Sequence, residues 1–143
     1  MLKHFMFAAA LLFALSAAPQ STNTVNIDVP RTLANDGRQM YVSYCASCHG
    51  LSGRGNGPAA GVLRVPPSDL TVLSKSNQGK FPGYRVASVL RFGPESPKAH
   101  GLREMPVWGS VFAGMNHTVM NSREEEDLRV TNLSRYLEGI QAK

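Results

Sequence analysis

The chain has 143 residues, the size of a single domain. Its formal charge of +5 is a modest basic excess with no dense basic run, which argues against nucleic acid as a partner. It has only two cysteines, Cys45 and Cys48, and a bridge between them would close a tiny loop, so no disulfide framework holds the fold.

Residues 1–18 have the order of an export signal. Lys3 and His4 give a short basic start, Phe5 to Leu15 is almost wholly apolar, and Ser16-Ala17-Ala18 supplies small residues. The apolar run is shorter than the roughly 20 residues a bilayer span needs. A cleaved signal and a periplasmic mature chain without a transmembrane segment are therefore expected. Residues 19–33 have little periodicity and read as an extended or disordered arm, with one domain over 34–143.

A first helix is predicted from a cap at Asn35 or Asp36 into the cysteine motif, with Met40, Tyr41 and Tyr44 on one face. From Gly50 to Pro67 glycines and prolines exclude a long helix. A short turn over Ala59 to Leu63 and a brief helix capped by Ser68 or Asp69 remain open there. A helix is predicted over residues 84–91, stopped by Gly93-Pro94, and residues 93–109 read as loop. The last helix has the clearest signature. Ser122 and Glu125 have capping-box spacing, Glu124 to Asp127 suit the first turn, and Leu128, Leu133, Tyr136, Leu137 and Ile140 form an apolar stripe. The acidic cluster is thus read as helix chemistry. No alternating strand pattern or repeat is present, so the chain reads as a small, mostly helical domain with long loops.

Charge is unevenly spread. Residues 31–104 carry ten basic and four acidic side chains, whereas residues 121–143 carry four basic and five acidic ones. A positive side around the cysteine motif would steer the molecule toward an acidic partner.

Cys45-Ala46-Ser47-Cys48-His49 has the spacing for covalent attachment of a c-type haem. On a helical turn, residues three apart face the same side, so both thiols can reach one edge of a porphyrin while the next residue brings its imidazole to the iron. A thioredoxin-type pair would want a βαβ setting, which is absent, and a zinc site would need further ligands at suitable spacing. Candidates for a sixth iron ligand are Met40, Met105, Met115, Met120, His100 and His117. Met105 is favoured: it sits in a loop whose backbone Pro106 restrains. Met40 falls on the first helix, and Met115 and Met120 are most simply packing residues.

These residues resemble the class I cytochrome c family, in particular its bacterial monohaem members, over roughly Asn35 to Gly139. Gly37 and Tyr41 look like the family's first-helix pair, with Tyr136 as the aromatic partner in the last helix. Gly53-Arg-Gly55-Asn-Gly57-Pro58-Ala59 looks like the loop that follows the haem motif, and Glu104-Met105-Pro106-Val107-Trp108-Gly109 like the distal methionine loop. The resemblance implies an all-α fold of three to five helices around one covalently bound haem c. It makes His49 and Met105 the iron ligands, Pro58 the carbonyl that accepts from His49, and Trp108 a haem-contacting or core residue. It implies electron transfer with an unidentified redox partner, as a carrier or as the cytochrome subunit of a periplasmic or membrane oxidoreductase. The alternative is a haem enzyme or gas sensor with an open or labile sixth site, for which Arg103 beside the loop could be argued.

Overall fold

The computed structural model describes residues 31–94, 104–115 and 121–142. The expected export signal, residues 19–30 of the expected arm, His100, Arg103, His117 and Met120 lie outside the described residues. Asp36 opens the first helix, α1 (Gly37–Tyr44), its carboxylate accepting the Gln39 N–H at 2.8 Å. Met40, Tyr41 and Tyr44 are buried on the face predicted for them. The helix does not run unbroken into the motif. It ends at Cys45, and a separate turn, α2 (Ala46–His49), is closed by Gly50 at φ 78°.

Between Gly50 and Pro82 the backbone forms three short 3-10 turns, Ala60–Val62, Leu70–Val72 and Lys75–Asn77. Asp69 caps the second, accepting from both the N–H and the hydroxyl of Thr71 at 2.8 and 2.6 Å. The helix α3 (Gly83–Phe92) extends the predicted one by a residue at each end. The next helix, α4 (Trp108–Gly114), begins inside the stretch read as loop. Its two glycines lower helix propensity, but Gly109 allows close approach to α3. A Cβ there would lie 2.7 Å from the Arg91 carbonyl oxygen. Packing of Trp108 and Phe112, both buried, overrides the local preference.

The last helix is α5 (Ser122–Gly139), and its cap lies one residue earlier than predicted. Asn121 accepts from Arg123 and Glu124 N–H, and Glu124 returns the bond to Asn121. This register turns Glu125 inward, where it pairs with Arg129 at 2.8 Å. Thr32, expected in the arm, is also buried. Arg129 donates to its hydroxyl at 3.0 Å and its carbonyl at 2.9 Å, and the hydroxyl lies 2.7 Å from the Tyr44 Oη.

Helix α5 packs against α1, α3 and α4. Where α1 crosses it, Gly37 is required: a Cβ would collide with the Asn132 carbonyl. Beside that contact Tyr41 meets Tyr136 with ring centroids 5.1 Å apart, as the family resemblance anticipates. Met40, Tyr41, Phe112, Val130 and Leu133 are fully buried, each side chain contributing about 1.5–3 kcal/mol of hydrophobic stabilisation. The domain is all-α, with five α-helices and no strand among the described residues.

Candidate functional site

Two adjoining cavities, of about 330 and 490 Å³, share Cys45, His49, Ser68, Pro94 and Met105 as walls. These volumes are typical of sites for cofactors and small ligands. Their remaining lining is mostly apolar. Leu63, Val65, Pro66 and Pro67 face the smaller cavity, and Leu70, Leu73, Val86 and Leu90 the larger. The break between α1 and α2 sets Cys45 at the wall, and one turn later α2 brings Cys48 and His49 to the smaller cavity.

The loop after the motif folds back along α2 and satisfies its terminal carbonyls. Gly55 N–H donates to His49 O at 2.8 Å, Gly57 N–H to Cys48 O at 3.0 Å and Ala59 N–H to Ser47 O at 2.9 Å. Gly57 lies so close that a Cβ would sit 2.6 Å from the Ala46 carbonyl oxygen. The same loop then delivers the partner of His49. Its Nδ1 lies 3.0 Å from the Ser68 carbonyl oxygen. The bond assigned to Pro58 from the family resemblance is therefore made by Ser68. Pro58 is exposed at the turn where the chain reverses, and the main chain reaches the imidazole only ten residues later. A carbonyl can only accept, so Nδ1 carries the proton and the Nε2 lone pair is free to bind a metal.

Both cysteines are free thiols. Burial, and then the neighbouring Cys48, push the Cys45 thiol up to about 12. Among the described residues no group of three or more His, Cys, Asp or Glu side chains gathers as a zinc site would require. An apolar cavity with two thiols, an imidazole of fixed tautomer and a thioether on its walls does fit a covalently attached haem.

Met105 is half-buried and lines both cavities with His49. Met40 lies fully buried in α1, and Met115 is buried where the Tyr44 hydroxyl donates to its sulfur at 3.7 Å, so both are packing residues. Trp108 lines the smaller cavity and stacks on Tyr44 and Phe112, at centroid distances of 5.3 and 5.7 Å. It serves as both core and cavity wall.

Sequence reasoning missed Glu104. Its two carboxylate oxygens accept from the Arg64 N–H at 2.7 Å and the Val65 N–H at 3.0 Å. Those two N–H groups hold the Glu104 carboxyl below its ordinary range. No pattern marks main-chain donors forty positions away. The available signal was a lone acidic residue next to Met105 in an otherwise basic region.

A family model for cytochrome c matches residues 34–138. The chain belongs to the cytochrome c family. A cytochrome c binds haem c covalently through its cysteines and transfers electrons with redox partner proteins. In this cytochrome c domain Cys45 and Cys48 are the two cysteines present for such an attachment. No curated protein and no solved structure matches the chain. Among its described residues no helix is long and apolar enough to cross a membrane.

Proposed function

We propose that this chain is an exported, periplasmic monohaem cytochrome c of the class I type, working as an electron carrier or as the cytochrome subunit of a redox complex. One observation carries the reading: His49 and Met105, distant in sequence, line the same pair of cavities together with Cys45. Cys45 and Cys48 would hold the haem by thioether bonds, His49 and Met105 would hold its iron, and Trp108 would form a wall. When bound, the haem supplies one-electron chemistry between Fe(III) and Fe(II), and His/Met ligation favours a raised potential. Ser68 orients the His49 ring and makes it a stronger donor. The apolar walls exclude water, which limits rearrangement when charge changes. With His49 and Met105 both holding the iron, no position on it would be left for a substrate. The export segment at residues 1–18 is the basis for the periplasmic assignment.

The surface beside the smaller cavity suits transient docking. Val62 and Val65 are 85% and 70% exposed, and they flank Arg64, with Arg54 also exposed on the adjoining loop. An apolar centre with basic neighbours fits an acidic partner, bound at a salt-dependent rate.

The test uses protein produced in a host able to attach haem. Haem-stained denaturing gels should show covalent colour that Cys48→Ala weakens. The reduced protein should take up carbon monoxide slowly at neutral pH. Rapid uptake would overturn the carrier reading in favour of an open sixth site. Fractionation of cells should place the mature chain in the periplasm, and a cytoplasmic holoprotein would contradict export.

A further inference from the structure

We propose that Glu104 is the positioning residue that holds Met105 at the cavity, by tying the methionine loop to the loop that orients His49. This deepens the reading above and rests on Met105 being an axial ligand. Glu104 immediately precedes Met105, and each of its carboxylate oxygens accepts one backbone N–H, from Arg64 and Val65. A carboxylate taking two N–H groups side by side makes strong, directional bonds. Among the described residues those two N–H groups have no other acceptor. The following Pro66 and Pro67 have no N–H, and among the described residues no backbone–backbone bond anchors the amides of residues 64–69. Glu104 thus pins the start of this segment, as the bond from His49 to the Ser68 carbonyl pins its end.

The tied segment continues into Ser68, whose carbonyl accepts from His49. One path of contacts therefore runs from the imidazole through Ser68 and the 64–68 backbone to Glu104, and from there by covalent connection to Met105. The tether crosses the rim of the smaller cavity, which both loops line. On the far side Met105 is followed by Pro106, which stiffens the chain but bonds nothing through its nitrogen. A thioether is a weak neutral ligand, so its occupancy depends on how closely the backbone keeps it in place. Without Glu104 the two walls of the cavity can part, and Met105 leaves its position more often.

The experiment compares wild type with Glu104→Ala and Glu104→Gln, each as the full chain with haem attached. Two quantities are read: the methionine–iron charge-transfer absorption of the ferric form, and the rate of carbon monoxide uptake by the ferrous form. Glu104→Ala should weaken the band and speed uptake by about tenfold or more, as expected for losing charge-assisted hydrogen bonds. Glu104→Gln, whose amide oxygen can take one of the two N–H groups, should fall between. Helix content by circular dichroism should be unchanged in both, separating the effect from unfolding. Band and uptake rate within about twofold of wild type in Glu104→Ala would overturn the role. If that variant does not accumulate, the same result in Glu104→Gln overturns it. A wild type already lacking the band would refute Met105 ligation and this role with it, whereas an intact wild-type band with unaffected variants refutes only the tether.

Discussion

The two ends of the domain and its middle are built on different principles. Helices α1 and α5 meet with Gly37 against the Asn132 carbonyl and Tyr41 against Tyr136, and the Arg129–Glu125 pair closes their junction with Thr32. That region is dense, buried and regular. Residues 50–82 and 104–107 supply much of the cavity wall with only short 3-10 turns, held by main-chain bonds along α2 and by contacts such as His49 to Ser68 and the Arg64 and Val65 N–H groups to Glu104. Stability should therefore reside mainly in the clamp, and control of the haem environment mainly in the loops. Substitutions in one region should leave the other's readout nearly unchanged.

The largest effect tests the clamp. Arg129→Met leaves Glu125 buried without its partner and should cost about 3–5 kcal/mol, seen in denaturant unfolding of the holoprotein. Adding Glu125→Leu should recover much of that loss, since a buried ion pair is often replaceable by apolar residues. Neither variant should shift the charge-transfer band of whatever protein remains folded. A large band change would show that the two regions are coupled. Gly37→Ala, which forces a methyl against the α5 backbone, should cost about 1–3 kcal/mol by the same measurement.

The next effect belongs to the loops. Met105→Ala should abolish the methionine–iron band and lower the reduction potential, while unfolding changes far less than in Arg129→Met. Retention of both band and potential would remove Met105 from the site. Arg64→Gln, at the surface, should slow electron transfer with an anionic metal complex several-fold relative to a cationic one at low salt. An unchanged ratio would locate docking elsewhere.

The smallest effect is a pH dependence. Hydrogen bonds from the Thr71 hydroxyl and N–H hold the Asp69 carboxyl below its ordinary value of 3.8. A depressed carboxylate contributes stability that is present above its unfolded value and is lost as pH falls through the folded one. Asp69→Asn should thus lower the thermal midpoint near neutrality and flatten its fall below about pH 4, where variant and wild type converge. Asp69 is partly exposed, so the change should be slight.

Features carried by short sequence patterns were readable from sequence alone. The motif from Cys45 to His49, the cap at Asp36, the limits of α3 and the Gly37–Tyr41–Tyr136 crossing all rest on local spacing or family pattern. The α5 cap was displaced by one residue because Asn121 and Ser122 are both good caps and three successive glutamates fit either register. Burial of Glu125 against Arg129 decides between them, and no local pattern records burial. The start of helix α4 was hidden by Pro106 and Gly109, and Gly109 is there for close packing on α3. Ser68 and the donors to Glu104 act through their main chain, which every residue shares, so side-chain identity could not point to them.

The hydrogen bonds on Thr32 carry a practical consequence for where the domain starts. A form beginning after Thr32 would strip the Arg129 guanidinium of two acceptors and the Tyr44 hydroxyl of a neighbour. Any processing or shortening that keeps the junction of α1 and α5 intact must therefore stop ahead of this threonine, although the family pattern itself begins two residues later.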